Sequence, residues 1–159
     1  MTSFVETPAR PHDHQRCVAN ALAAAEALCA ERGVRLTDIR RRVLELIWQG
    51  HNAVKAYDLL ELLSTETRAA KPPTVYRALD FLLEQGLIHR IESLNAFVGC
   101  THPEGEHVSQ FLICDRCHTV SEIEGSSVQA AVRRAAGKAG FAISRQTVEI
   151  HGLCAVCGD

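Results

Sequence analysis

Residues 72–86 read Pro72-Pro73-Thr74-Val75-Tyr76-Arg77-Ala78-Leu79-Asp80-Phe81-Leu82-Leu83-Glu84-Gln85-Gly86. Proline suits the first turn of a helix, where its missing N–H would have no partner in any case. Val75, Leu79, Leu82 and Leu83 recur with a period of about 3.6 residues, the signature of a helix with one buried face. Gly86 is the stop signal. Two strands follow, 87–92 and 96–99, around a turn at Ser93, Leu94 and Asn95. Upstream, 17–32 carries a helical stripe of Val18, Leu22, Ala25 and Leu28 and ends at Gly33. Thr37 can cap a second helix with Val43, Leu44, Ile47 and Trp48 on its apolar face, closed by Gly50. A short third helix over 55–63 puts Leu59, Leu60, Leu62 and Leu63 inside. Helices, the last started by proline, and then a two-stranded ribbon are the element order of a winged helix-turn-helix. A helical core with a plain hairpin is the competing reading.

The second half has a different texture. Strands are expected over 110–114 and 119–124. A helix capped by Ser126 or Ser127 should run to about Gly137–Gly140, and the alternation over 141–151 predicts a returning strand. The fold class is therefore α+β, a winged-helix domain followed by a small α+β domain. The expected organisation is a flexible tail over 1–16, a winged-helix domain over 17–100, a hinge over 101–107, and a small α+β domain over 108–159. Neither internal repeats nor low-complexity tracts interrupt this plan.

Composition narrows the function classes. The 159 residues are 47% hydrophobic and 23% charged, which excludes a disordered tail or a disulfide-dense miniprotein. No run approaches the roughly 18 apolar residues of a membrane span, and the first sixteen residues lack the apolar core of a secretory signal. With aromatics at 5%, a stacking surface for single-stranded nucleic acid is not expected. The net charge is −2, but it is uneven: residues 32–92 carry ten Lys and Arg against eight Asp and Glu, the one net-positive segment. An anionic partner would meet the chain there.

Seven cysteines without a secretion signal point to a reducing compartment, the cytoplasm, and to metal or redox chemistry rather than disulfides. Cys114-x-x-Cys117 and Cys154-x-x-Cys157 each bring two thiolates together from a tight turn. Zn²⁺ accepts four sulfurs tetrahedrally, and a closed four-thiolate shell leaves no position for substrate, so the site reads as structural. A redox pair or idle thiols are the alternatives. A looser cluster contains His89, Cys100, His102, Glu104, Glu106, His107, His118 and Glu122. Its density of ligand types raises a second metal site, while isolated surface histidines remain the plainer account. The zinc-deaminase pattern H-x-E…P-C-x-x-C is imitated by His102, Glu104, Cys114 and Cys117. Ile113 in the proline position, the short gap and the unexplained second cysteine pair reject it.

The run 71–86 quoted above with its preceding lysine, the stretch Ala56-Tyr57-Asp58-Leu59-Leu60, and the two cysteine pairs resemble the ferric uptake regulator family. Cys114-Asp115-Arg116-Cys117 and His151-Gly152-Leu153-Cys154-Ala155-Val156-Cys157 resemble its zinc-responsive branch. The resemblance covers about residues 26–157. It implies a metal-dependent repressor that works as a homodimer on double-stranded DNA, with 17–100 as the DNA-binding domain and 108–159 as the dimerisation and metal-binding domain; neither a membrane partner nor an enzymatic activity is expected. By position it implies that Cys114, Cys117, Cys154 and Cys157 hold structural zinc and that His89, Cys100, His107 and Glu122 form a regulatory site, two Zn²⁺ per chain. It places Tyr57 and Arg77 at base-reading or groove-facing positions and Tyr76 at a backbone contact. Two departures stand out. Asp38-Ile39 replaces the family's usual Pro-Gln after the threonine that starts helix two. Thr101–His107 holds only two histidines, which speaks against a third metal site and makes His102 and His118 surface residues.

The thiolate at Cys100 favours zinc, because iron(II) and manganese(II) sites prefer nitrogen and oxygen ligands. The expected function is a zinc-responsive repressor that binds near-palindromic operators of zinc-uptake genes. An iron, manganese or nickel sensor of the same family is the first alternative, and a zinc-binding or redox protein without DNA function is the second. Thr74 and Arg77, three apart, share one helix face, and Arg77 can pair bidentately with guanine. Its rival role is a salt bridge with Asp80 or Asp58. Lys71, Lys55 and Arg35 are phosphate-contact candidates, and Arg40, Arg41 and Arg42 read as a solvated helix face.

Overall fold

A computed structural model describes residues 14–50, 52–66, 71–105 and 108–158. The elements run α1 (His14–Glu31), α2 (Asp38–Trp48), α3 (Ala56–Glu66), α4 (Pro72–Glu84), β1 (Ile88–Ile91), β2 (Ala96–Gly99), β3 (Ser109–Cys114), β4 (Val120–Glu124), α5 (Ser126–Lys138) and β5 (Val148–Gly152). The chain is mixed helix and sheet in two units, one spanning Arg10–Gly105 and the other including Glu106–Asp159.

In the first unit the apolar stripes meet in a single core. Leu22, Ala25 and Cys29 of α1, Val43, Leu44, Leu46 and Ile47 of α2, and Leu59 and Leu63 of α3 are all buried. They are joined by Val75, Ala78, Leu79, Phe81 and Leu82 of α4. Each fully buried aliphatic side chain contributes about 1.5–3 kcal/mol relative to exposure, which is why the 3.6-residue spacing decides the fold. Gly86 closes α4 with φ 67°, a left-handed conformation that costs glycine nothing. The wing then pairs antiparallel, Ile88 with Gly99 and Ile91 with Ala96. A bridge between Val54 and Phe97 ties it to the chain before α3.

Several local expectations are corrected. The helix α1 starts at His14, so His14, Gln15 and Arg16, assigned to the tail, are helical. Its polar first turn carries no apolar stripe to reveal it. The rest of the tail, 1–13, lies outside the described residues. Thr37 occupies the N-cap position of α2 but makes no side-chain cap hydrogen bond, and Gly125 rather than a serine precedes α5. Leu62 is 47% exposed rather than inside, because Leu59 and Leu63 already form the buried edge of α3.

Arg40, Arg41 and Arg42 are not a plain solvated face. The Arg40 guanidinium lies 3.7 Å from the Phe81 ring centre and donates to the Arg35 carbonyl at 2.7 Å. Arg41 pairs with Glu26 at 2.8 Å. Arg42 bonds Glu45 at 2.8 Å and Glu66 at 2.9 Å. The three arginines therefore fasten α2 to α1, α3 and α4.

In the second unit the strand order is β4-β3-β5. The pairing of β3 with β4 is antiparallel, and that of β3 with β5 is parallel, Gln110 to Val148 through Cys114 to Gly152. A parallel pair needs a crossover connection, here β4 and α5. The expected strand over 141–151 is confined to Val148–Gly152. The pairing with β3 begins at Val148, so the alternation over 141–147 has no ladder to join.

Candidate metal centres and nucleic-acid interface

The parallel pairing of β3 and β5 sets the four-cysteine site. Cys114 ends β3 opposite Gly152 at the end of β5, and the ladder continues one step as the Asp115 N–H donates to the Gly152 carbonyl at 2.8 Å. Both cysteine-bearing turns therefore leave the same end of the sheet side by side. In the first turn the His118 N–H reaches the Cys114 carbonyl at 2.9 Å, and in the second the Cys157 N–H reaches the Cys154 carbonyl at 2.9 Å. His118 holds φ 60° to close its turn.

One sulfur from each of Cys114, Cys117, Cys154 and Cys157 lies within 4.8 Å of all the others. Cys117 Sγ and Cys154 Sγ are 3.7 Å apart, far beyond the S–S bond of about 2.05 Å. Tetrahedral zinc with Zn–S of about 2.3 Å separates its sulfurs by about 3.8 Å. The spacing fits that ion and not a disulfide.

The electrostatics agree. The Cys114 thiol is pushed down to about 6, chiefly by backbone N–H groups of Cys117 and Cys154 aimed at its sulfur. Hydrogen bonding from Thr119 lowers Cys117. Cys157 is pushed up to about 12 by its bond to Cys154, by burial and by the other two sulfurs. Four thiolates at this spacing repel one another, and a divalent ion would offset half of their charge. The sulfurs of Cys114, Cys117, Cys154 and Cys157 are spaced to suit a zinc ion.

Outer supports went unread in the sequence. Arg116 donates to the Cys157 carbonyl at 2.6 Å, tying one turn to the other. His151 Nδ1 and Asp115 Oδ1 lie 3.0 Å apart. These residues stand inside the motif runs, but their partners are 41 and 36 positions away, a pairing no spacing rule reveals.

His89 pairs with Val98 across the wing, and Cys100 stands two positions further on, on the same face of the ribbon. The Cys100 N–H donates to the Leu87 carbonyl at 3.0 Å, and its thiol is buried, 3% exposed. A ring nitrogen of His89 and the Cys100 sulfur lie within 4.8 Å of one another. Glu122, in β4 of the other unit, is buried and accepts the Ser109 hydroxyl at 2.6 Å. His107 lies outside the described residues. His102 and His118 are exposed.

On the winged-helix unit, both tyrosines of the chain are solvent-facing, Tyr57 at 72% and Tyr76 at 55% exposure. Arg77 and Lys71 are exposed and Thr74 is half-buried. Lys71 is the N-cap of α4, so these side chains cluster on its first turns. Arg77 makes no ion pair with any described residue, Asp58 and Asp80 included. Lys55 and Arg35 are also exposed.

A winged helix presenting tyrosine and arginine, in one chain with a four-thiolate knuckle, defines a class, and the chain belongs to the ferric uptake regulator family, whose profile matches residues 31–151. Within that class the strong likenesses are to zinc regulators. The zinc uptake regulation protein of Escherichia coli (strain K12) is 50% identical over 137 residues, 86% of this chain and 80% of that one. A solved structure of a zinc uptake regulator complexed with zinc and DNA matches with a TM-score of 0.83 and 48% identity, over 87% of this chain and 93% of that chain. The peroxide operon regulator of Bacillus subtilis (strain 168) is more distant, 26% identical over 127 residues, 80% of this chain and 86% of that one.

Among the described residues no helix is long and apolar enough to cross a membrane.

Proposed function

We propose that this chain is a zinc-responsive transcriptional repressor that works in the cytoplasm as a homodimer on near-palindromic double-stranded operators of zinc-uptake genes. The reading assigns it no catalysis and two zinc ions per chain. The observation that carries it is the pair His89 and Cys100: an imidazole nitrogen and a buried thiol within 4.8 Å, on the wing of a DNA-reading domain.

A thiolate beside an imidazole suits zinc and disfavours iron(II) and manganese(II). With His107 and Glu122 the set would be two nitrogens, one thiolate and one carboxylate, a charge of −2 that a divalent ion neutralises. Bound there, zinc supplies charge neutralisation and a crosslink, not reaction chemistry. His89 and Cys100 precede the hinge at 101–107, and His107 and Glu122 end or follow it. Joint ligation by residues from both sides would restrict that hinge. Each dimer then holds its two α4 helices at the spacing of successive major grooves. Shifting such an equilibrium from mostly open to mostly closed requires about 5.5 kcal/mol of differential affinity, within the roughly 10–16 kcal/mol available to four-ligand zinc sites. On DNA, Arg77 and Tyr57 read bases, Thr74 lies beside them, and Tyr76 and Lys71 contact the backbone.

The test is a titration of DNA binding against buffered free zinc, using a duplex selected from a random pool by the zinc-loaded protein. Cys100→Ser should remain a folded dimer with one zinc per chain, and its binding curve should move to higher zinc. A Cys100→Ser curve that overlays the parent's would remove this pair from the sensing role.

A further inference from the structure

The C-terminal end of α4 is held by a side chain from the turn that follows α1. The Arg32 guanidinium, one residue beyond α1, donates from Nη1 to the carbonyl of Gln85 at 2.6 Å. Gln85 is the C-cap residue of α4, and the same nitrogen is 3.4 Å from its side-chain Oε1. The other prong, Nη2, donates to the carbonyl of Pro103 at 3.3 Å. A helix end leaves carbonyls without intrahelical partners and carries a partial negative charge, so a guanidinium is well matched to it. Arg32 itself is fixed through its backbone N–H, which donates to Leu28 at 3.0 Å.

Pro103 is three residues past Cys100. One planar fork thus grips both the end of the helix that carries Arg77 and the segment that leaves Cys100. A lysine would place a point charge there but could not span both carbonyls with a rigid fork.

We propose that Arg32 is a positioning residue that couples the segment after Cys100 to α4, so that order imposed by metal at Cys100 is passed to the DNA-reading helix. The inference rests on the zinc-dependent DNA binding proposed above. Coupling between two binding events is reciprocal: what zinc does for DNA affinity, DNA does for zinc affinity. Arg32 is neither one of the proposed zinc ligands nor one of the proposed DNA contacts, so its loss should weaken the link while leaving each separate affinity nearly intact.

The experiment compares the full-length parent protein with Arg32→Gln and Arg32→Lys on a duplex selected from a random pool by the zinc-loaded parent. DNA affinity is measured with only the four-cysteine zinc present and again at saturating zinc, and the ratio is the zinc gain. Zinc affinity of the second site is measured with and without that duplex. Arg32→Gln should lower the zinc gain by about fivefold or more, within the usual range of coupling factors. Its zinc affinity without DNA should stay within about twofold of the parent, and Arg32→Lys should fall between. A purely structural role would lower melting temperature and DNA affinity at every zinc level and leave the ratio unchanged, which would overturn the proposal. If Arg32→Gln does not fold, an unchanged ratio in Arg32→Lys overturns it equally. A parent protein with no zinc gain at all would instead sink the zinc-repressor reading, and this inference with it.

Discussion

The indole of Trp48, at the end of α2, fills the space in which a side chain at Gly99 would stand; a Cβ there would come within 2.2 Å of the indole Cε2. Only the bare backbone of β2 lets α2 and the wing approach this closely, and the next residue is Cys100. The tryptophan, the one in the chain, therefore sets where the wing's thiol lies.

Gly99→Ala should accordingly cost about 1–3 kcal/mol in urea unfolding, the usual range for overpacking, and should change the fluorescence of Trp48. Gly105→Ala is the control, since nothing lies within 4 Å of a Cβ there, and it should stay within about 0.5 kcal/mol. Equal effects of the two substitutions would contradict the packing argument.

Cys114→Ser should remove the zinc held by the four cysteines and loosen the unit they staple. Cys114 both ends β3 and receives the N–H of Cys154 at 3.4 Å, so its sulfur joins the two turns even before metal. Elemental analysis should show one zinc fewer per chain. Hydrogen exchange should accelerate at Asp115, whose amide donates to Gly152. Unchanged exchange with unchanged zinc would mean that the other three sulfurs suffice.

Arg77→Ala should weaken binding to the selected duplex by about 1–3 kcal/mol while affinity for random DNA and zinc content stay near the parent values. Equal losses on both duplexes would reassign Arg77 to the phosphates.

Glu66→Gln tests the α2–α3 ion pair through its pH dependence. The hydrogen bond from Arg42 holds the Glu66 carboxyl below its ordinary 4.5. A carboxyl whose folded value lies below its unfolded one stabilises the fold above the unfolded value, and that contribution disappears as pH falls through the folded value. The parent should therefore be more stable than Glu66→Gln at pH 7, and the gap should narrow below about pH 4.5. The gap is small, since both side chains are partly exposed, 32% and 40%. Measuring the difference between the two proteins cancels the loss of zinc at low pH. A gap that does not narrow would show that the ion pair is not its source.

Much of the winged-helix unit was legible because its signals are local. Proline at the start of α4, Gly86 at its end and the apolar period between them lie within a few turns of chain. The four cysteines were legible as a set because each pair is close in sequence. The supports around them were not: Arg116 meets Cys157, and His151 meets Asp115, only once β3 and β5 lie parallel. Leu62 and the strand expected from Phe141 failed for a related reason. Apolar character and alternation say that a segment can be buried or paired, and only its neighbours decide whether it is.

The sequence by itself determined the helix periodicity, the turn into the wing and the two pairs of thiols, and through its motifs the family. These depend on bonds and contacts within about one turn or one hairpin, where chain connectivity leaves few alternatives. Tertiary structure alone decided that Arg77 stands without an ion-pair partner among the described residues, that Arg40, Arg41 and Arg42 fasten helices together, and that the two cysteine turns leave the same end of the sheet. It also decided that Arg32 reaches Gln85 and Pro103, 53 and 71 positions away. Contacts at such separation follow from the packing of whole elements, whose summed burial outweighs any preference a single residue carries.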